Sequence, residues 1–223
     1  MRWSLQKRVI IPTFLLVVLA MGISTGVTYW MSSRALNDNA SEILRTIGES
    51  RANLVDLWVN DATETMLAAS TRDAYKNVLK SGDEKDVAAA NAALTELGKI
   101  SSAFAYFHVA DPRGDIIASG VKAAIRKVKV PDREYFMKAM KGQTNVANVF
   151  LSRTTGQASL ALAAPIKDGD RVIGVLIGVP DLTKFGESLV DKAKVFSTGF
   201  VALYEETGLI FAHKDKKIGR AHV

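Results

Sequence analysis

Apolar residues occupy positions 9–31 without a single charge, recur at intervals of three and four as far as residue 66, and alternate in steps of two from residue 104. These three regimes predict a spanning helix, an amphipathic helix and a sheet. A bilayer core of roughly 30 Å needs about 20 apolar residues in helical form, and residues 9–31 meet that length. A cleaved signal is the competing reading, but its apolar region typically runs about 7–15 residues before a small-residue cut. The stretch therefore reads as an uncleaved transmembrane anchor. Within the second regime, Leu36, Ala40, Ile43, Leu44, Ile47, Leu54, Val55, Trp58, Ala62 and Met66 mark one face of a helix of some forty residues, uninterrupted by proline. That helix continues the anchor. Its stripe serves for packing on the following domain and for a partner helix in a homodimer.

Residues 71–73 break the pattern, and Ser81-Gly82-Asp83 is a turn before a second helical run, Glu84–Ile100. Strands are predicted over Phe104–Ala110, Ile116–Ser119, 145–152, 158–166 and 171–179, giving five antiparallel strands. Tight turns fall at Asp111-Pro-Arg-Gly-Asp115 and Lys167-Asp-Gly-Asp170. Pro131 and Asp132 open a short helix that Gly142 closes. Residues 182–194 read as a linking helix; 199–204, a Glu205-Glu-Thr-Gly208 turn and Leu209–His213 then repeat the strand-turn-strand pattern.

Charge refines this picture. Three of the six net positive charges belong to Arg2, Lys7 and Arg8, so the remainder carries +3, which does not point to nucleic acid. The same basic arm places the N-terminus in the cytoplasm and the main domain outside, in the periplasm of a cell with an inner membrane. Cysteine is absent, excluding disulfides and thiolate metal sites. No His or carboxylate spacing suits a metal, so no metal and no cofactor are expected. Gly22-Ile-Ser-Thr-Gly26 matches a hydrolase nucleophile pattern, but inside a spanning helix it lacks the strand-to-helix turn that chemistry needs. With no nucleophile and base, acid pair or cofactor loop in a credible context, an enzyme is not expected. The same glycines have the G-x-x-x-G spacing that lets membrane helices approach.

The run PDREYFMKAMKG (131–142), the hairpin GQASLALAAPIKDGDRVIGVLIGVPDL (156–182) and GFVALYEETGLIFAHKDKKIGR (199–220) together resemble the extracytoplasmic double Cache domains of bacterial receptors. The resemblance implies an α+β fold divided as follows: a cytoplasmic arm (1–8), a transmembrane helix (9–31), a long stalk helix (32–72), a membrane-distal, PAS-like Cache module (73–190) and an incomplete membrane-proximal Cache module (191–223). It also implies ligand residues. Members that bind amino acids carry an Arg-x-Trp-Tyr pattern, a Tyr five residues earlier and an Asp after the last strand. Arg133-Glu-Tyr135-Phe136 matches with Tyr for Trp and Phe for Tyr, Asp181 matches the late Asp, and Val128 replaces the early Tyr. Phe150 and Ser152 fall where the family places an aromatic and a polar pocket residue.

Physical chemistry supplies roles for the same residues. A guanidinium is a planar five-donor fork suited to a carboxylate, which makes Arg133 the first candidate. Tyr135 and Phe136 fit either a pocket or a core, and Asp181 fits either an amine-holding site or the N-cap of the next helix. His108 alternates with Tyr106 and is a further pocket candidate. The expected ligand is a small carboxylate or an amino acid. The expected function is sensing by a methyl-accepting chemotaxis protein whose cytoplasmic partners are reached through segments beyond residue 223. The alternatives are the input of a histidine kinase or cyclic-dinucleotide enzyme, or a stand-alone anchored binding protein.

Overall fold

The computed structural model describes residues 5–121, 125–152, 158–191, 195, 199–204, 209–213 and 219–220. The chain divides into two compact units, residues 1–50 and 51–223. One continuous helix, α1 (Leu5–Ser70), begins in the first and ends in the second. Across residues 9–31 its side chains are exposed on every face. It is the one helix among the described residues long and apolar enough to cross a membrane. Thr13 and Thr28 donate their hydroxyls to the carbonyls of Val9 and Ser24, each at 2.8 Å, so both polar groups are satisfied within the helix. Further along the first unit, Leu36, Ile43 and Leu44 are exposed.

The second unit begins with the end of α1, where Ala62, Met66 and Ala69 are buried. Two helices follow, α2 (Asp73–Ser81) and α3 (Glu84–Ile100). Only α3 is expected from the sequence; α2 is nine residues long, too short for its Tyr75 and Val78 to establish a period. Gly82, in the left-handed conformation at φ +67°, ends it. The sheet strands are β1 (Phe104–Ala110), β2 (Ile116–Ser119), β3 (Asn145–Val146), β6 (Leu162–Asp168) and β7 (Arg171–Pro180), in the order β2-β1-β7-β6-β3, all antiparallel. The predicted strands 145–152 and 158–166 each bend: β4 (Phe150–Leu151) and β5 (Ala158–Ser159) leave the sheet and pair as a separate ribbon.

Strand alternation divides the core in two. On one face Phe107, Val109, Leu162, Ala164 and Leu176 pack with α1, α2 and α3. Gly178 on β7 makes room there, since a Cβ at that position would lie 2.7 Å from both the Met66 sulfur and the Phe104 ring. On the other face Ala110, Ala163, Val175, Ile177 and Val179 pack with Tyr135, Phe136 and Ala139 of α4 (Glu134–Met140). The fold is thus a mixed α+β, PAS-like sheet module, as the sequence predicts.

After β7, α5 (Leu182–Gly186) is shorter than the predicted linking helix and passes into a π-helical turn, Glu187–Asp191. Phe185 packs edge-on against Trp58 at 4.8 Å between ring centroids, and Val55, Val190, Val201 and Leu203 complete this satellite core. The last sheet pairs β8 (Ala202–Tyr204) with β9 (Leu209–His213) and adds β10 (Gly219–Arg220), a third strand too short to show alternation. The predicted Glu205–Gly208 turn and the 192–194 end of the linking helix lie outside the described residues.

Candidate ligand-binding site

The face of the sheet turned toward α4 is lined where β1 and β7 run side by side. Tyr106 pairs with Val179 and His108 with Ile177, so the period of two brings all four side chains to one surface. Ile116 of β2 and Val128 and Val130 of the following loop extend the apolar part of that surface. The loop is held by the β1–β2 turn. There Asp111 Oδ1 accepts the N–H groups of Arg113 and Asp115, each at 2.9 Å. Gly114 adopts φ +79°, and a Cβ on it would come within 2.6 Å of the Pro131 nitrogen. Glycine is therefore required for the chain entering α4 to pass this close.

Arg133 is the N-cap residue of α4, with extended backbone at φ −82° and ψ 130°. Its guanidinium carbon lies 4.8 Å from the centroid of the Phe150 ring. Tyr135, two residues on, stacks on the same ring at 5.5 Å. Phe150 and Ser152 come from the β4–β5 ribbon, where Phe150 pairs with Ser159. Together these elements border a half-open cavity of ≈ 30 Å³ lined by Arg133, Tyr135, His108, Phe150, Ser152 and Ser159 over the apolar floor already described. A second cavity of ≈ 150 Å³ shares Arg133, Tyr135 and Phe150 and adds Glu134, Lys138 and Asn145. Arg133, Tyr135 and Phe150 form the common wall.

His108 is buried, and burial alone pushes its ring from the ordinary 6.5 down to about 4. Its Nδ1 lies 2.7 Å from Ser119 Oγ on β2, the residue directly opposite in the ladder. Ser119 Oγ also accepts the N–H of Val121 at 2.8 Å, and the Ser119 N–H donates to Asn91 Oδ1 of α3 at 2.8 Å. Which of the two donates depends on the imidazole tautomer; with Ser119 donating to Nδ1, the neutral ring carries its proton on Nε2. That nitrogen has no protein partner among the described residues and belongs to a side chain lining the cavity.

Five of the seven residues singled out from the sequence therefore meet at one cavity: Arg133, Tyr135, Phe150, Ser152 and His108. Phe136 is buried in the core beneath α4. Asp181 takes the capping role: its Oδ1 accepts from the N–H groups of Thr183 and Lys184 at 3.1 and 3.2 Å, and its Oδ2 lies 3.6 Å from Lys184 Nζ. It is not among the cavity's lining residues. Ser159 is a lining residue the sequence reading missed, because its strand bends away from the pattern that carried the others. Among the described residues no three metal-ligating side chains cluster.

A five-stranded antiparallel sheet, with helices on one face and a small mixed cavity under a short helix on the other, defines a PAS-like ligand-binding module. The dCache_1 family model, a Cache domain, matches residues 32–221, and the chain belongs to the Cache domain family. Among solved structures, the sensor domain of the Vibrio cholerae histidine kinase DctB superposes with a TM-score of 0.65 at 20% identity, over 75% of this chain and 64% of that one. The chain thus spans just under two thirds of that domain. The ligand-binding domain of the Pseudomonas fluorescens chemoreceptor CtaA, in complex with L-serine, gives 0.60 at 18% identity over 82% of this chain and 76% of that one. The ligand-binding domain of the Pseudomonas aeruginosa amino acid chemoreceptor PctB, in complex with L-Arg, gives 0.58 at 18% identity over 78% and 71%. At these identities the likeness is one of fold. No curated protein sequence matches the chain.

Proposed function

We propose that this chain is the sensing part of a transmembrane chemoreceptor of the methyl-accepting type, binding a small carboxylate or amino acid outside the cytoplasm. The observation that carries the reading is the convergence of Arg133, His108, Tyr135 and Ser152 on one cavity of a Cache module. In this reading residues 9–31 anchor the chain in the inner membrane, and 32–72 form the stalk. Residues 73–190 are the membrane-distal module in the periplasm, and 191–223 open a membrane-proximal one. The exposed Leu36, Ile43 and Leu44 supply a seam for a homodimer. The module binds and transmits; it performs no catalysis and takes no nucleic acid. Ligand can bias the receptor only by its differential affinity for two arrangements, typically about 1–3 kcal/mol of coupling.

A second reading, the input of a histidine kinase, is favoured by the DctB likeness and by a further similar structure, the extracellular domain of the putative histidine kinase rpHK1S-Z16. The two readings share the site and differ in what it drives. The test is a chimera joining the chain to the kinase-control half of a characterised chemoreceptor. Ligand-dependent change in kinase activity, abolished by Arg133→Ala, supports the proposal. A chimera that folds, binds ligand and leaves kinase activity unchanged opposes it.

A further inference from the structure

The smaller cavity is too tight for a whole ligand. At ≈ 30 Å³ it takes about one or two water-sized groups, whereas the adjoining cavity of ≈ 150 Å³ is of the size that holds a benzene-sized group. Because Arg133, Tyr135 and Phe150 line both, a ligand whose carboxylate meets Arg133 can extend its body into the larger one. What that body meets there deepens the sensing reading above and rests on it.

The polar group in question is set by the end of α4. There the N–H of Gly142 donates to Ala139 O and that of Gln143 to Lys138 O, at 2.9 and 3.2 Å, turning the chain from α4 into β3. Asn145, the first residue of β3, stands opposite Ala163 of β6. Its Nδ2 donates to Tyr135 O and to Gln143 O, each at 3.1 Å. Both partners are carbonyl oxygens, which only accept, so the amide has one orientation and both of its N–H groups are used. Oδ1 is left with no donor among the described residues, on a half-buried side chain that lines the larger cavity. Glu134 and Lys138, which line it too, are exposed and bind each other at 2.7 Å. A carbonyl oxygen fixed in this way favours a ligand group that brings N–H to it and penalises one that brings only acceptors or carbon.

We propose that the ≈ 150 Å³ cavity is a subsite for the far end of the ligand, and that Asn145 Oδ1 selects there an uncharged N–H donor of the kind a carboxamide carries.

The test is calorimetric titration of the full chain in lipid nanodiscs with two matched pairs: glutaramate against monomethyl glutarate, and L-glutamine against L-glutamate γ-methyl ester. Each pair exchanges a terminal amide for an ester and keeps the carboxylate; the second adds the α-amine that the sensing reading leaves open. In the pair that binds, the amide should be about 10-fold tighter than the ester, the scale on which a buried acceptor left unmade is felt. Asn145→Leu should bring the two to equal affinity. If amide and ester bind the wild-type chain equally and Arg133→Ala abolishes both, the subsite is overturned and the sensing site stands. If none of the four compounds binds, both fall. An amide preference that survives in a folded Asn145→Leu overturns the role of Asn145. Should that variant fail to fold, the wild-type comparison decides alone, equal affinities counting against the subsite.

Discussion

His108 and Ser119 stand opposite each other across the β1–β2 ladder, joined by a 2.7 Å contact between Nδ1 and Oγ at a buried point behind the cavity. The pair ties the ring to the neighbouring strand. It also makes the fold pH-sensitive, because burial holds the ring near a pKa of about 4 against 6.5 unperturbed. Above pH 6.5 the ring is neutral in both states and its full contribution to stability is present. As pH falls from 6.5 toward 4 the unfolded chain takes up a proton that the folded chain refuses, so stability falls with pH, by up to about 3 kcal/mol. Among the described residues the other titratable groups facing His108 are Tyr106, whose ring lies 5.0 Å away, and Arg133 and Tyr135 across the cavity. Denaturant melts between pH 4 and 7 should show this loss, and His108→Gln should flatten the part of it that His108 contributes.

Arg133 lies over Phe150 rather than beneath the core. Replacing it with Ala removes a cation–π contact worth about 0.5–1 kcal/mol at a partly exposed site. A melting temperature lowered by no more than a few degrees, alongside lost ligand binding, is the expected pattern. Phe150→Ala should join the two cavities and loosen ligand selectivity while leaving the sheet's far-ultraviolet circular dichroism unchanged.

Asp181 caps α5 through two backbone N–H groups. Asp181→Ala should cost about 1 kcal/mol of stability, the usual value of an N-cap. Carboxylate affinity should stay at the wild-type value, as calorimetry on the variant can establish.

Gly178 gives α1 its approach to the sheet, with Met66 and Phe104 both 2.7 Å from where a Cβ would stand. Gly178→Ala therefore overpacks the core and should destabilise by about 1–3 kcal/mol, read as a lower urea midpoint.

Much of this architecture is legible in the sequence because its signals are local. The uncharged run at 9–31, the alternation through Phe107 and Val109, and the Gly114 and Gly142 stops each follow from side-chain polarity or backbone freedom. The site is legible in part: alternation places Tyr106 with His108, and the short-helix signal isolates Arg133. What escapes depends on tertiary geometry. The bend that takes Phe150 and Ser159 into their own ribbon leaves no mark on periodicity, and the residue type of Asp181 serves a helix cap and an amine-holding site equally. The tautomer of His108 depends on Ser119, Val121 and Asn91, brought together from β2, the loop after it and α3.

The account turns on whether Arg133 and His108 touch the same small ligand. The chain has three histidines, so ¹⁵N-histidine and ¹⁵N-arginine NMR of the nanodisc-embedded protein, with His108→Gln and Arg133→Ala for assignment, is a sparse and readable experiment. The free protein should show His108 as a neutral ring with its proton on Nε2. Glutaramate or L-glutamine, whichever binds, should then move the His108 Nε2–H and Arg133 Nε–H signals along one saturating curve. Saturable binding that leaves both signals where they were would place the ligand elsewhere and contradict the assignment of this cavity.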